Sequence, residues 1–313
     1  MLYMNNVANI RELSGEIDEL RREQNAVILA HNYQRPEVQD VADFVGDSLE
    51  LARQAAETDA EVIVFCGVYF MAETAKIVNP RKRVLIPDLL ARCPMALMLS
   101  PEDILESRKS YPDSEVVLYV NSSSECKALA DCVCTSANAP QIVKAMDSDT
   151  VLFGPDRNLA YYAQKRTDKD VVVVPEGGNC PTHHQLSLVD ILMAKSRHPD
   201  AELVVHPEVD PGIQELADGI ESTGGMLRYC RESPADEFII GTEEGMVYRL
   251  KREFPGKRFY HLSPPMLCPP MKSLTLDKVL DSLRGDRFEV RVSERILREA
   301  GKAIDRMLEL SGN

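Results

Sequence analysis

Short apolar runs alternate with helix-like stretches along this chain, and the alternation itself repeats. AVILAHNY, VVLYVNSS and ELVVHPEV each read as a first strand, in which His31, Tyr119 and His206 correspond at intervals of 88 and 87 residues. A second apolar run closes on glycine and enters a helical stretch in VIVFCGVYFMAETAKI, TVLFGPDRNLAYYAQK and EFIIGTEEGMVYRLKR. Their glycines, Gly67, Gly154 and Gly241, are spaced by 87 and 87. A third passage runs basic, apolar, proline, loop, cysteine: KRVLIPDLLARCP, KDVVVVPEGGNCP and KRFYHLSPPMLCP end beside Cys93, Cys180 and Cys268, at intervals of 87 and 88. A hydroxyl stands 17 residues after each member of the first set, at Ser48, Ser136 and Thr223. Four markers in step through three copies define a triplicated unit of ~87 residues.

Strands alternating with helical stretches predict parallel strands, crossover helices and αβα layering. The expected fold is α/β, with three pseudo-symmetric αβα sandwich units whose parallel sheets are arranged about a pseudo-threefold axis. The expected boundaries are an N-terminal helix in 1–24, repeats at 25–101, 102–188 and 189–285, and a C-terminal helix in 286–313 packing back on the body. In the first repeat Val38, Val41, Ala42, Val45, Leu49, Ala52 and Ala56 keep helical spacing, with a break at Gly46-Asp47. Asp47 or Ser48 then suits the N-cap of the second segment. Ile296, Ala300, Ile304 and Leu308 share one face of the closing helix, with Ser293 or Glu294 near its start, and residues 9–24 form a helix at the other terminus.

In parallel αβ sheets, functional residues gather beyond the carboxyl ends of the strands. Three units facing one axis would therefore bring Cys93, Cys180 and Cys268 together. Three thiolates with no local C-x-x-C partner suggest a metal site with one position unfilled. Iron–sulfur clusters normally use four cysteines, so three would leave one iron open to substrate as a Lewis acid. Spacing alone separates neither a cubane nor a zinc on three thiolates from the other, and three structural cysteines are the plainer alternative. Cys66 closes the apolar run VIVFC and reads as core. Cys126, Cys132 and Cys134, in ECKALADCVC, have no counterparts in the other copies and read as structural. His183 and His184, just past Cys180-Pro, read as supporting or surface residues outside the catalytic set.

The other threefold sets supply a polar lining. His31, Tyr119 and His206 are followed two residues later by Tyr33, Asn121 and Glu208. Ser48, Ser136 and Thr223 are each expected to start a helix, where a hydroxyl caps and the exposed N–H groups bind anions. Glu208, the one carboxylate in these sets, reads as the general acid/base.

Composition narrows the partners. The 313 residues are 44% hydrophobic and 27% charged, with a formal charge of −14. That sign argues against nucleic acid, and it makes an anionic substrate depend on local donors such as helix N-termini. No run approaches the ~18 apolar residues of a membrane span, and MLYMNNVANIRELSGEIDELRRE turns charged too early for a secretory signal. A cytoplasmic location is the expectation, and eight cysteines then read as metal or redox chemistry sooner than as disulfides.

HNYQRPEVQDVADFVGDSLELA, GVYFMAETAKI, CPMALM, YVNSSSECKA, CVCTSANA, Pro155-Asp156 with Leu159-Ala160, HPEV and CPPM are long and unusual. Through them the chain resembles the quinolinate synthase A family over nearly its whole length. The resemblance implies a [4Fe–4S] cluster on Cys93, Cys180 and Cys268. It also implies condensation of iminoaspartate with dihydroxyacetone phosphate, releasing phosphate and two waters, to give quinolinate for de novo NAD synthesis. Substrate-lining residues would be His31, Ser48, Tyr119, Asn121, Ser136, His206, Glu208 and Thr223; Tyr33 would join Glu208, His206 and His31 in the proton transfers. Iminoaspartate would come from an aspartate oxidase or aspartate dehydrogenase. Two departures stand out: Cys268 lacks the further cysteines of a C-x-x-C-x-x-C run, and Val209 stands where HPE is often followed by cysteine. An iron–sulfur electron carrier or sensor, and a scaffold around a structural zinc, are the competing classes.

Overall fold

A computed structural model describes residues 2–312, with side chains from residue 9 on. Twelve strands form three four-stranded sheets, and every pairing between them is parallel. The first sheet holds β1 (Ala26–His31), β2 (Phe44–Gly46), β3 (Val62–Cys66) and β4 (Arg83–Leu85) in the order β2-β1-β3-β4. The second holds β5 (Glu115–Tyr119), β6 (Cys132–Cys134), β7 (Thr150–Gly154) and β8 (Asp170–Val173) in the order β6-β5-β7-β8. The third holds β9 (Glu202–Val205), β10 (Gly219–Ile220), β11 (Glu237–Gly241) and β12 (Arg258–His261) in the order β10-β9-β11-β12. The order is the same each time, so the triplication read from the sequence is also a triplication of topology.

In each sheet the chain leaves the first strand to pair on one side and returns to pair on the other. The strand order therefore reverses beside β1, β5 and β9, the place where open parallel sheets bind ligands beyond their carboxyl ends.

In the first repeat the short outer strand β2 replaces the expected helical continuation, and β6 and β10 are its counterparts. Val45, spaced as part of a helix, lies instead in β2, because the helix Pro36–Val41 stops one residue before the extended Ala42. An aspartate organises each of these strands. The N–H groups of Asp43, Asp131 and Asp218 donate to the carbonyls of Ile28, Val116 and Leu203, each at 2.9 Å. Their Oδ2 atoms accept the N–H of those same three residues at 2.8, 2.7 and 2.7 Å. A basic residue from the helix before each sheet's first strand pairs with each carboxylate: Arg21, Arg108 and Lys195. The side chain thus adds a rung to the ladder, which lets a strand of two or three residues hold its place.

The contacts divide the chain into two compact units, one running to Cys93 and including Pro269–Ser293, the other Pro94–Cys268 with the chain from Glu294 on. In the first, Ile28, Ala30, Val62, Val64 and Leu85 pack with Ile17 and with Leu276, Val279, Leu280 and Leu283. The helices Leu2–Glu23 and Leu276–Gly285 lie against each other there. In the second, one core gathers Val116, Leu118 and Leu152 and another Leu203, Val205 and Ile239. The closing helix begins at Glu294, runs to Leu310, and packs on β6 and the helix Ser124–Lys127. Among the described residues no helix is long and apolar enough to cross a membrane.

Candidate functional site

The three cysteines singled out by the repeat occupy one local station. Cys93-Pro94 leads into the 3-10 helix Met95–Leu97, Cys180 is the N-cap of Pro181–His184, and Cys268 immediately precedes Pro269–Lys272. Proline fits the first position of a helix because its missing N–H would have no intrahelical partner there. These three are half-buried, whereas Cys66, Cys126, Cys132, Cys134 and Cys230 are buried. Burial pushes the Cys66, Cys132 and Cys230 thiols up to about 12 and raises Cys126 and Cys134. Those five are packing residues, and the half-buried trio are the thiols suited to metal.

In the first unit, His31 ends β1 and Tyr33 follows in the turn; both are buried. The Tyr33 N–H donates to His31 Nδ1 at 3.1 Å, and the two rings meet edge to face at 4.6 Å between centroids. A nitrogen that accepts a backbone N–H carries no proton, so Nε2 holds the ring's hydrogen. Ser48 is the first residue of the helix Ser48–Glu57, but the cap is Asp47, which accepts from Leu49 and Glu50 while Glu50 accepts from Asp47. Thr223 likewise opens its helix behind the cap Ser222. Ser136 departs from the expectation: it sits in the turn ahead of Ala139–Lys144, so its hydroxyl is free to serve something other than a helix end.

The second unit gathers most of the predicted lining around one carboxylate. Glu208, only 3% exposed, receives a hydrogen bond from Tyr119, lies 3.5 Å from the amide nitrogen of Asn121 and has Oε2 at 3.6 Å from His206 Nδ1. Its own N–H donates to that Nδ1 at 3.3 Å, the arrangement seen at His31, and His206 Nε2 meets Ser136 Oγ at 3.1 Å. Below the turn, Asn158 donates to the Glu208 carbonyl at 2.9 Å, and Gln214 donates to the carbonyls of Pro207 and Val209.

His183, expected as a supporting or surface residue, is the supporting one. Buried to 1% exposure, it places Nδ1 2.7 Å from Glu208 Oε2 and 3.1 Å from Cys180 Sγ, while Nε2 meets Thr242 Oγ1 at 2.8 Å. It also stacks on His206 at 4.9 Å. Cys180, His183 and Glu208 together form a donor group able to hold a metal ion, with ligand atoms within 4.8 Å of one another. His184 is exposed, as expected of a surface residue. A buried lysine went unremarked: Lys127 Nζ donates to the Ser122 carbonyl at 2.8 Å, next to Asn121.

Burial alone would raise the Glu208 carboxyl. The neighbouring His206 and His183 rings, with hydrogen bonds from His183 and Tyr119, outweigh it and hold the group well below the usual carboxylate range. Asp156 behaves oppositely: burial, then the nearby Glu208 charge, push it well above that range against the N–H groups of Leu159, Cys180 and Asn158.

The loops bearing Cys180 and Cys268 adjoin, for Thr182 Oγ1 donates to the Leu267 carbonyl at 3.4 Å. The approach to Cys180 is tight. A Cβ on Gly178 would lie 1.9 Å from the Pro155 carbonyl oxygen, so no larger residue fits there without moving the backbone.

Comparison with known proteins identifies the family. Residues 15–309 match the family model described as Quinolinate synthetase A protein. Quinolinate synthase of Pyrococcus furiosus is 55% identical over 302 residues, 96% of this chain and 99% of its own. That of Methanothermobacter thermautotrophicus is 52% identical over 303 residues, again 96% and 99%. The Thermodesulfovibrio yellowstonii enzyme, at 51% over 296 residues, covers 94% and 97%. With the family model spanning nearly the whole sequence and relatives above half identity end to end, the chain belongs to the quinolinate synthetase A family.

Proposed function

We propose that this chain condenses iminoaspartate with dihydroxyacetone phosphate to give quinolinate, phosphate and two waters, and so acts as a quinolinate synthase, a condensing and dehydrating transferase in NAD biosynthesis. The observation that carries the reading is the shared station of Cys93, Cys180 and Cys268, each half-buried and each opening a short helix through a proline, against five buried cysteines. That donor chemistry fits a [4Fe–4S] cluster on three thiolates, one from each of the repeats 25–101, 102–188 and 189–285. When bound, the cluster supplies a Lewis-acidic iron that the polypeptide leaves open.

The remaining chemistry belongs to side chains. His31 and His206 carry their ring hydrogen on Nε2, since their Nδ1 atoms are taken by backbone N–H donors, and His206 holds that nitrogen against Ser136 Oγ. Ser48, Ser136 and Thr223 contribute hydroxyls beside helix starts or turns, where local N–H groups favour carboxylate and phosphate despite the chain's −14 charge. Tyr119 and Asn121 orient Glu208. Glu208, held ionised, begins the cycle as a proton acceptor, and the Tyr33 phenol returns a proton to a departing oxygen. An aspartate oxidase or aspartate dehydrogenase would supply the short-lived imine.

A second reading has one observation in its favour: Cys180, His183 and Glu208 could hold a single metal ion without sulfide. Anaerobic purification followed by iron and sulfide assay separates the two. About four of each per chain are expected for the cluster, and quinolinate should form when both substrates are added. Zinc without sulfide, or no quinolinate from an iron-replete sample, would sink the proposal.

A further inference from the structure

Each cysteine loop is fastened at the same point to the start of the helix that follows its sheet's second long strand. The Tyr69 N–H donates to the Ala91 carbonyl at 2.8 Å, Arg157 to Gly178 at 2.9 Å, and Glu244 to Met266 at 2.9 Å. Every acceptor lies two residues before a cysteine: Cys93, Cys180 or Cys268. The residue just before each donor is therefore equivalent across the repeats, and it is Val68, Asp156 and Glu243.

Two of those three carry a carboxylate with no exposed surface, and both use its oxygens alike. Asp156 Oδ1 accepts the Leu159 N–H at 2.7 Å, capping Arg157–Gln164, while Oδ2 accepts the Cys180 N–H at 3.0 Å. Glu243 Oε2 accepts the Gly245 N–H at 2.7 Å while Oε1 accepts the Cys268 N–H at 3.3 Å. One oxygen serves the helix and the other the cysteine. Val68 is equally buried and has no acceptor to offer.

We infer that Asp156 and Glu243 are positioning residues that clasp the Cys180 and Cys268 loops in ligand-ready form. The role of the clasp toward a cluster rests on the proposed function; the clasp itself does not. A buried N–H that loses its acceptor is left unsatisfied, and losing these bonds frees the segment they fix. With the bonds made, the Cys180 and Cys268 thiolates would stay in place when iron is lost.

The test uses full-length protein stripped of iron by a chelator under reducing, anaerobic conditions and pulsed with iodoacetamide, with each cysteine followed by peptide mapping. Asp156→Ser is the discriminating variant: serine still caps the helix but is too short to reach Cys180. Glu243→Ala removes the bond to Cys268 together with the one to Gly245. Cys180 should alkylate about tenfold faster in Asp156→Ser, and Cys268 about tenfold faster in Glu243→Ala, on the strength of one lost hydrogen bond. Cys93 should stay within about twofold of the parent in both, as sites without shared partners act independently. The loaded variants should also release iron to a chelator faster than the parent. An unchanged Cys180 rate in Asp156→Ser, or all three cysteines rising together, overturns the clasp. If the parent chain carries neither iron nor sulfide, the cluster reading falls, and the alkylation pattern still decides the clasp.

Discussion

The turn that leaves β1 and the turn that leaves β9 are built alike and end differently. In both, an imidazole at the strand end accepts, through Nδ1, the N–H of the residue two further on: Tyr33 at 3.1 Å, Glu208 at 3.3 Å. The device fixes one tautomer and presents the same Nε2–H. Its third residue is then a phenol in one repeat and a carboxylate in the other. The turn leaving β5 departs further, with Tyr119 and Asn121 in the two places, both directed at Glu208. Two of the three copies keep the backbone device, while the side chain two residues on differs in all three. A single base surrounded by donors is more useful than three copies of one.

The sharpest way to break this comparison is to neutralise its one carboxylate. Glu208→Gln should lower quinolinate formation by about 10²–10⁴, the usual worth of a general acid/base, with iron and sulfide content unchanged. Tyr33→Phe, at the equivalent position, should cost about tenfold to a hundredfold, because a hydroxyl that returns a proton can be replaced in part by water. The measurement is kcat on protein matched for iron. A Tyr33→Phe loss exceeding that of Glu208→Gln would reverse the assignment of roles between the two turns.

His183 sharpens the contrast from the second repeat. The residues three beyond Cys93 and Cys268 are Ala96 and Met271, so neither of the other loops carries an equivalent imidazole. His183→Ala removes the donor at 2.7 Å from Glu208 while sparing the cysteines. Turnover should fall about tenfold, the scale seen when a group supporting a metal-site residue is lost, with KM moving less than kcat. Equal changes in both would indicate that the ring only shapes the pocket.

That same absence explains what was legible in the sequence. Matching three copies selects positions that kept step, and it found His31, Ser48, Cys93 and their partners together with the strand–helix order. A residue present in one copy alone, such as His183 or Lys127, leaves no periodic trace. The outer strands escaped for another reason: two or three residues are too few for alternation to register, and the signal that marks them is a side chain, Asp43, Asp131 or Asp218, standing in for a backbone rung. Ser136 was misplaced because N-capping and turn formation draw on the same residue types, and only the position of Ala139–Lys144 separates them.

The smallest effect concerns what covers the sheets. The first repeat's β1 carries the helix Leu2–Glu23, whereas the second repeat's β6 carries the closing helix Glu294–Leu310. Arg306 anchors that closing helix, its Nη1 2.9 Å from Glu115 Oε1, with both side chains less than a third exposed. Burial would raise the Glu115 carboxyl, but the Ser148 N–H and Arg306 hold it below its ordinary value. A carboxyl depressed in the fold stabilises above its unfolded pKa of about 4.3 and loses that contribution as pH falls through the folded value. Arg306→Met should therefore lower the apparent melting point by about 2 °C at pH 7, on the order of 1 kcal/mol for a partly buried pair. The gap between variant and parent should close as the pH drops below about 4. A gap independent of pH would assign Arg306's contribution to packing of its aliphatic stem on β6 rather than to the ion pair.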